Sequence, residues 1–271
     1  MSGTQPPTVA VIMDPIDNII PYKDTSLAMM LEAQRRGWRV EYLQQTDLYM
    51  RDGEVAARRQ GVELFDDTGQ WYRVIDEVEG PLAEVDVVLM RKDPPVDDEY
   101  LYTTCLLDRL VHRGVLVANP PDALRAVNEK LFTAGFNHCM VPTLVTSSPQ
   151  RIRDFLAEQE DVILKPLNLM GGASIFRLRV GDPNVGVILE QMTDHGRCSA
   201  MAQRYIPEIV HGDKRILVVG GEPVPYALAR IPAEGETRGN LAAGGRGVAQ
   251  PLSDRDRWIV EQVAPTLNEK G

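Results

Sequence analysis

The sequence predicts an α/β region followed by an α+β region. Up to Ala118, short apolar strands alternate with helices. From Asp161 onward, strands follow one another with little helix between them. A Gly220-Gly221 pair sits between two of those later strands, as a tight hairpin requires.

Val9–Met13 is a continuous apolar run, the pattern of a strand buried on both faces. Thr25 or Ser26 can cap the next helix, which carries Leu27, Met30, Leu31 and Gln34 and stops at Gly37. Trp38–Leu43 alternates as a strand, and Val85–Met90 is another buried strand. Leu101–His112 is a helix with Leu101, Cys105, Leu106 and Leu110 on one side, ended by Gly114. Val115–Ala118 follows as a strand. Strand, helix and strand in succession imply a parallel sheet with right-handed crossovers.

The pattern changes at Asn119-Pro120-Pro121. A helix is expected over Asp122–Ala134, a strand over Val141–Thr146 and a helix over Pro149–Glu158. Val162–Pro166, Ser174–Val180, Ala200–Ile206, Arg215–Val219 and Pro225–Ile231 are expected to pair antiparallel, interrupted by a helix over Val185–His195. A glycine-rich loop spans Gly235–Gly247, and Ser253–Glu269 is the last helix.

Composition narrows the function. The 271 residues hold 29 Lys+Arg against 39 Asp+Glu, a net charge of −10, which argues against a general nucleic-acid or acidic-membrane binder. No apolar run approaches the roughly 20 residues of a membrane span. The first residues carry no basic and apolar leader pattern. Cys105, Cys139 and Cys198 are odd in number and far apart, so neither a disulfide framework nor a CxxC metal site is indicated. Reduced, buried thiols in a cytosolic, enzyme-sized protein are expected.

There is no P-loop, no G-x-G-x-x-G after a strand, no H-E-x-x-H and no G-x-S-x-G. Instead, Lys165 closes the apolar strand Val162–Pro166, and Gly171-Gly172 follows. A lysine amid buried neighbours needs an anion, and glycines let backbone N–H groups approach a phosphate. A plain hairpin turn with a snorkelling lysine is the alternative. Arg215 and Arg230 lie on two arms of one hairpin, so both guanidiniums can serve one cleft as bidentate anion binders, or else pair with nearby glutamates. The loop over Gly235–Gly247, holding Arg238 and Arg246, has the composition of a lid over an anion or of a plain linker. Lys130, taken alone, is a solvated helix lysine, and Gln203–Ile206 a strand end stopped by Pro207. The cysteines and histidines show no ligand spacing.

Several segments together resemble bacterial-type glutathione synthetase. They are Met13-Asp14-Pro15, Met90–Pro95 (MRKDPP), Asn128-Glu129-Lys130, Ile163–Leu167 (ILKPL), Met170–Ser174 (MGGAS), Gly212–Arg215 (GDKR) and Glu236–Gly247 (ETRGNLAAGGRG). They run in family order from about Val9 to the end, and the last is the most specific. The resemblance implies an N-terminal pre-ATP-grasp domain over residues 1–125 that helps bind the peptide, then an ATP-grasp domain over residues 126–271. It also implies a homo-oligomeric, cytoplasmic ligase joining γ-glutamylcysteine and glycine with ATP and Mg²⁺, with no nucleic-acid or membrane partner.

By the same resemblance, Lys130 and Lys165 hold ATP phosphates and Gly171 and Gly172 form the phosphate-covering loop. Gln203, Tyr205 and Ile206 belong to the hinge that meets adenine, and Asp213 lies near the ribose. Arg215 and Arg230 line the reaction centre, with Arg238 and Arg246 in its lid. Arg204 departs from the smaller polar residue common in relatives. No metal ligand is named within the chain. The resemblance puts the oxygen ligands for Mg²⁺ beyond residue 271, so the ATP-grasp domain is expected to be incomplete and residues 1–271 to show little ligation. A D-alanine–D-alanine type ligase would share the lysines and glycines but not MRKDPP with ETRGNLAAGGRG. A non-catalytic nucleotide-binding module would bind ATP without releasing ADP.

Overall fold

The computed structural model describes residues 6–233, 239 and 244–271. The chain divides into two compact units, Met1–Ala126 together with Gly271, and Val127–Lys270.

The first unit is built on a seven-stranded sheet. Its strands are β1 (Thr8–Ile12), β2 (Arg39–Leu43), β3 (Leu48–Arg51), β4 (Glu54–Leu64), β5 (Tyr72–Pro81), β6 (Val87–Met90) and β7 (Leu116–Ala118). The order is β3-β4-β2-β1-β6-β7, with β5 on β4. β1 pairs in parallel with β2 and β6, and β6 with β7. Both faces of β1 are buried, which is why its sequence is continuously apolar. Ala10 and Ile12 pack with Leu107 and Leu110 of α2 (Asp98–Val111), while Val9 and Val11 pack with Leu27 and Met30 of α1 (Thr25–Arg35). Gly37 ends α1 in the left-handed conformation.

Three expectations are corrected at this point. The sheet is mixed, because β3, β4 and β5 pair antiparallel and β4 joins β2 antiparallel. This region reads poorly because its charges hide the alternation of Val55, Ala57, Val62 and Leu64. Those charges pair across strands, as in Arg58–Glu77, Arg73–Glu63 and Arg39–Asp76. The helix cap of α1 is Asp24, whose Oδ1 accepts from the Leu27 N–H at 2.8 Å, so Thr25 and Ser26 lie inside the first turn. The thiols are free, but Cys105 and Cys198 are exposed and Cys139 half-buried rather than buried.

The helix expected over Asp122–Ala134 is broken. α3 covers only Pro121–Ala126, and a 3₁₀ segment begins at Phe132. Asn128 Oδ1 accepts from the N–H groups of Lys130 (2.9 Å) and Leu131 (3.0 Å), a local turn that competes with the helical ladder.

The second unit has two antiparallel sheets. β8 (Thr143–Thr146), β9 (Asp161–Pro166), β10 (Phe176–Arg179) and β11 (Ala200–Arg204) form one, in the order β10-β9-β11-β8. Val162, Leu164, Leu178, Ala200 and Ala202 turn one face onto Ile152 and Leu156 of α4 (Pro149–Gln159) and Leu189 of α5 (Val185–Met192). β12 (Asp213–Val219), β13 (Glu222–Ile231) and β14 (Arg246–Pro251) form the other. Gly220 and Gly221 make its first turn with φ of +59° and +89°, as expected of a two-residue hairpin loop. β14 begins at Arg246, within the segment expected to be loop. α6 (Asp254–Asn268) packs against this sheet through an ion pair of 2.6 Å between Lys214 and Asp256. Asp256 also closes a capping box with Ser253. Among the described residues no helix is long and apolar enough to cross a membrane.

Candidate active site

A cavity of about 230 Å³ lies in the second unit, lined by Ile163, Lys165, Gln203, Tyr205, Asp213 and Gly239 among others. Strand alternation explains this lining. Val162 and Leu164 face the helices, so Ile163 and Lys165 face the other way. Cross-strand pairing puts Gln203 beside Ile163 and Met201 beside Lys165 on the same face.

The Lys165 ammonium makes no hydrogen bond or ion pair among the described residues. Burial pushes its ammonium pKa below the usual lysine value, the nearby Lys130 charge pushes it further, and Glu129 opposes both. A cation so placed is poised to take an anion.

Lys130 sits in the Asn128 turn rather than on a helix. Its Nζ donates to Glu129 Oε1 (2.5 Å), to the Leu169 carbonyl (2.8 Å) and to the Leu167 carbonyl (3.3 Å). It thereby ties the start of the β9–β10 connection to the lysine pair. Further along that connection, Gly171 and Gly172 have φ of +70° and +85°, a conformation that excludes most side chains. The two lysines and the glycine turn are therefore assembled at one end of β9.

At the strand end, Gln203 Nε2 donates to Thr143 Oγ1 at 2.9 Å. The N–H groups of Arg204 and Tyr205 bond the carbonyls of Pro142 (3.1 Å) and Asp161 (2.9 Å). Among the described residues, Ile206 N–H has no main-chain acceptor. Sequence reasoning missed the support of Tyr205. The Arg177 guanidinium lies 3.5 Å from its ring centroid, and Asp161 holds that guanidinium bidentately at 2.9 and 2.6 Å. Arg177 and Arg179 near Asp161 were the available signal, but only the β9–β10 register joins them to Tyr205.

On the three-stranded sheet, Asp213 stands opposite Arg230 and Arg215 opposite Leu228, which puts Asp213, Arg215 and Arg230 on one face. Arg230 donates from Nε and Nη2 to the two Asp213 oxygens at 2.9 and 2.5 Å. Arg246 pairs with Ile231 and lies on the opposite face, shared with Lys214 and α6. It is therefore not brought together with the other arginines. Arg238 lies outside the described residues, as does most of the segment read as a lid. Gly239 is described and buried, and sequence reasoning gave it no role.

Among the described residues, no group of three or more His, Cys, Asp or Glu is placed to hold a metal ion. These residues do not make a Mg²⁺ cage. The first unit has its own cavity of about 510 Å³ near the carboxyl ends of β1, β2 and β6. Asp14 and Lys92 line it and pair at 2.9 Å. Such a position is where open α/β sheets bind ligands.

The sequence model described as the ATP-grasp domain of prokaryotic glutathione synthetase matches residues 129–271, and that of its N-terminal domain matches residues 8–125. The glutathione synthetase of Pseudomonas aeruginosa is 56% identical over 263 residues, 97% of this chain and 83% of the relative. That of Pseudomonas syringae pv. tomato is 57% identical over 97% of this chain and 82% of the relative. That of Shigella flexneri is 52% identical over 97% and 83%. Among solved structures, the D-cycloserine synthetase DcsG aligns with a TM-score of 0.61 at 16% identity, covering 96% of this chain and 80% of that one. The ATP-grasp ligase PsnB, complexed with precursor peptide and AMPPNP, aligns with a TM-score of 0.56 at 19% identity, covering 96% and 81%. At such identities the structural likeness concerns the fold, which is ATP-grasp. With both domain models matched in order and identity above half of all positions, this chain belongs to the prokaryotic glutathione synthetase family.

Proposed function

We propose that the cleft of the second unit binds ATP and that the chain joins γ-glutamylcysteine to glycine, releasing ADP and phosphate. The observation that carries this reading is Lys165, a half-buried cation that pairs with no acid among the described residues, beside Lys130 and the Gly171-Gly172 turn. Membership of the family supports ATP-dependent glutathione synthesis over a D-alanine–D-alanine type ligase or a non-catalytic nucleotide-binding module.

In this reading residues 1–125 help bind the peptide and residues 126–271 bind the nucleotide. Lys130, Lys165 and the backbone of Gly171 and Gly172 hold the phosphates, while Gln203, Tyr205 and Ile206 border the adenine. A carboxylate oxygen of the cysteinyl residue attacks the γ-phosphorus and ADP leaves. The glycine amine then attacks the acyl carbon, loses a proton and expels phosphate. Phosphoryl transfer needs charge neutralisation and positioning more than a protein nucleophile. Arg215 and Arg230 supply directed donors on one sheet face. Arg238 and Arg246 stay assigned to closure over the site by the family likeness alone. Mg²⁺ accompanies ATP by the same likeness, and no step here is routed through it. The substrates are small molecules. A homo-oligomer working in the cytoplasm completes the proposal, the latter in keeping with exposed free thiols.

The test, on the full-length protein, is ADP release with each component omitted in turn, and mass identification of the product. ADP and glutathione are expected only when ATP, γ-glutamylcysteine and glycine are all present. Equal ADP release with D-alanine alone, or ATP binding without turnover, would overturn the proposal.

A further inference from the structure

The family likeness puts Asp213 beside the ribose, but the structure gives its carboxylate other work. Both oxygens accept from Arg230, in the side-by-side fork that suits guanidinium and carboxylate. The Arg230 side chain is 16% exposed, so it is held in place while largely shielded from water. Gly239 shields the pair further. A Cβ at that position would lie 2.9 Å from Asp213 Oδ1 and 2.5 Å from the Arg230 carbonyl oxygen, so this close approach requires glycine.

Arginine has five N–H donors, and the fork uses two. Among the described residues the three that remain have no acceptor, and they are fixed in direction, because the guanidinium is planar and cannot rotate without leaving the carboxylate. We infer that Asp213 is a positioning residue for Arg230, aiming its remaining donors at the reacting phosphoryl group. The inference rests on the proposed ligase activity.

The test is steady-state ADP release by the full-length wild type, Asp213→Asn, Arg230→Lys and the double variant, with ATP, 2′-deoxy-ATP and 3′-deoxy-ATP. Lysine keeps the charge but cannot form the fork, so Arg230→Lys checks the same geometry should Asp213→Asn fold poorly. Asp213→Asn is expected to lower kcat about 10- to 100-fold while KM for ATP changes less than about twofold. The factor should be the same for all three nucleotides, and the double variant should be no worse than Arg230→Lys alone. A raised KM for ATP with unchanged kcat, together with lost discrimination against the deoxynucleotides, would overturn the inference. So would losses that multiply in the double variant. Failure of the wild type to release ADP with both substrates present is a different result, and it overturns the ligase reading itself.

Discussion

Lys130 Nζ bonds the Leu169 carbonyl at 2.8 Å, so the ammonium that is proposed to hold a phosphate also holds the chain leading into the Gly171-Gly172 turn. Its three donors are taken by Glu129, Leu167 and Leu169. A phosphate therefore has to replace at least one of these bonds, which couples nucleotide binding to the position of the loop. Lys130→Met is expected to weaken ATP about 10- to 100-fold, the loss of one to two charge-assisted bonds. It should also increase proteolytic cleavage between Leu167 and Ser174 without nucleotide. Calorimetric titration and timed digestion check the two effects.

Lys165 has the opposite character, since no described residue bonds or pairs with its ammonium. Its folded-state pKa is lowered, chiefly by burial, so the unfolded chain holds this proton more tightly. The resulting penalty is in force below the lowered pKa and relieved as pH rises toward the usual lysine value. Lys165→Met removes the buried charge and keeps the apolar stem. It is expected to stabilise the nucleotide-free protein by about 1 kcal/mol, or roughly 2–4 °C in Tm, while nearly abolishing ATP binding. Lower stability together with unchanged nucleotide affinity would contradict the assignment.

The difference between these two lysines also marks what the sequence makes legible. Lys165 stands out because strand alternation and Pro166 fix its backbone and its face. Lys130 resists such reading because a side-chain oxygen, that of Asn128, diverts the backbone from the helix its neighbours favour. The Asp213–Arg230 fork is harder still. Counting back from the Gly220-Gly221 turn, with Val219 opposite Glu222, would set Asp213 opposite Leu228. An irregularity between Ile216 and Val218 leaves two extra residues on β13 and brings Arg230 there instead. Pro223 and Pro225 have no N–H for the ladder, which accounts for a break in register at that point.

Arg177 links acid stability to the proposed nucleotide site. It holds the Asp161 carboxyl below its ordinary pKa, with Arg179 assisting, so this contribution is complete above the normal aspartate value near 3.8. It is lost as pH falls through the lowered pKa. Arg177→Met should therefore reduce stability at neutral pH by about 1 kcal/mol, as expected of a partly exposed ion pair and cation–π contact. The loss should shrink as pH falls below the lowered Asp161 value. Because Tyr205 loses the cation stacked on its ring, KM for ATP should rise several-fold with little change in kcat. Equilibrium unfolding across pH and nucleotide kinetics test the two halves.

Two glycines in this unit should respond differently to the same added methyl group. Gly171 has φ of +70° but open space around its Cβ direction, so Gly171→Ala pays backbone strain alone, about 1–2 kcal/mol. That strain falls on a turn proposed to cover phosphate, and the expected effect is a higher KM for ATP. At Gly239 the methyl group meets the Arg230 carbonyl oxygen at 2.5 Å and Asp213 Oδ1 at 2.9 Å. Neither is the far end of a flexible side chain, since the first is backbone and the second is held in the fork. Gly239→Ala should thus disturb Arg230 and lower kcat about 10-fold or more, with KM for ATP nearly unchanged. Parallel kinetics of the two variants check the contrast. An equal rise in KM for both would mean that Gly239 acts on nucleotide binding, not on the arginine beneath it.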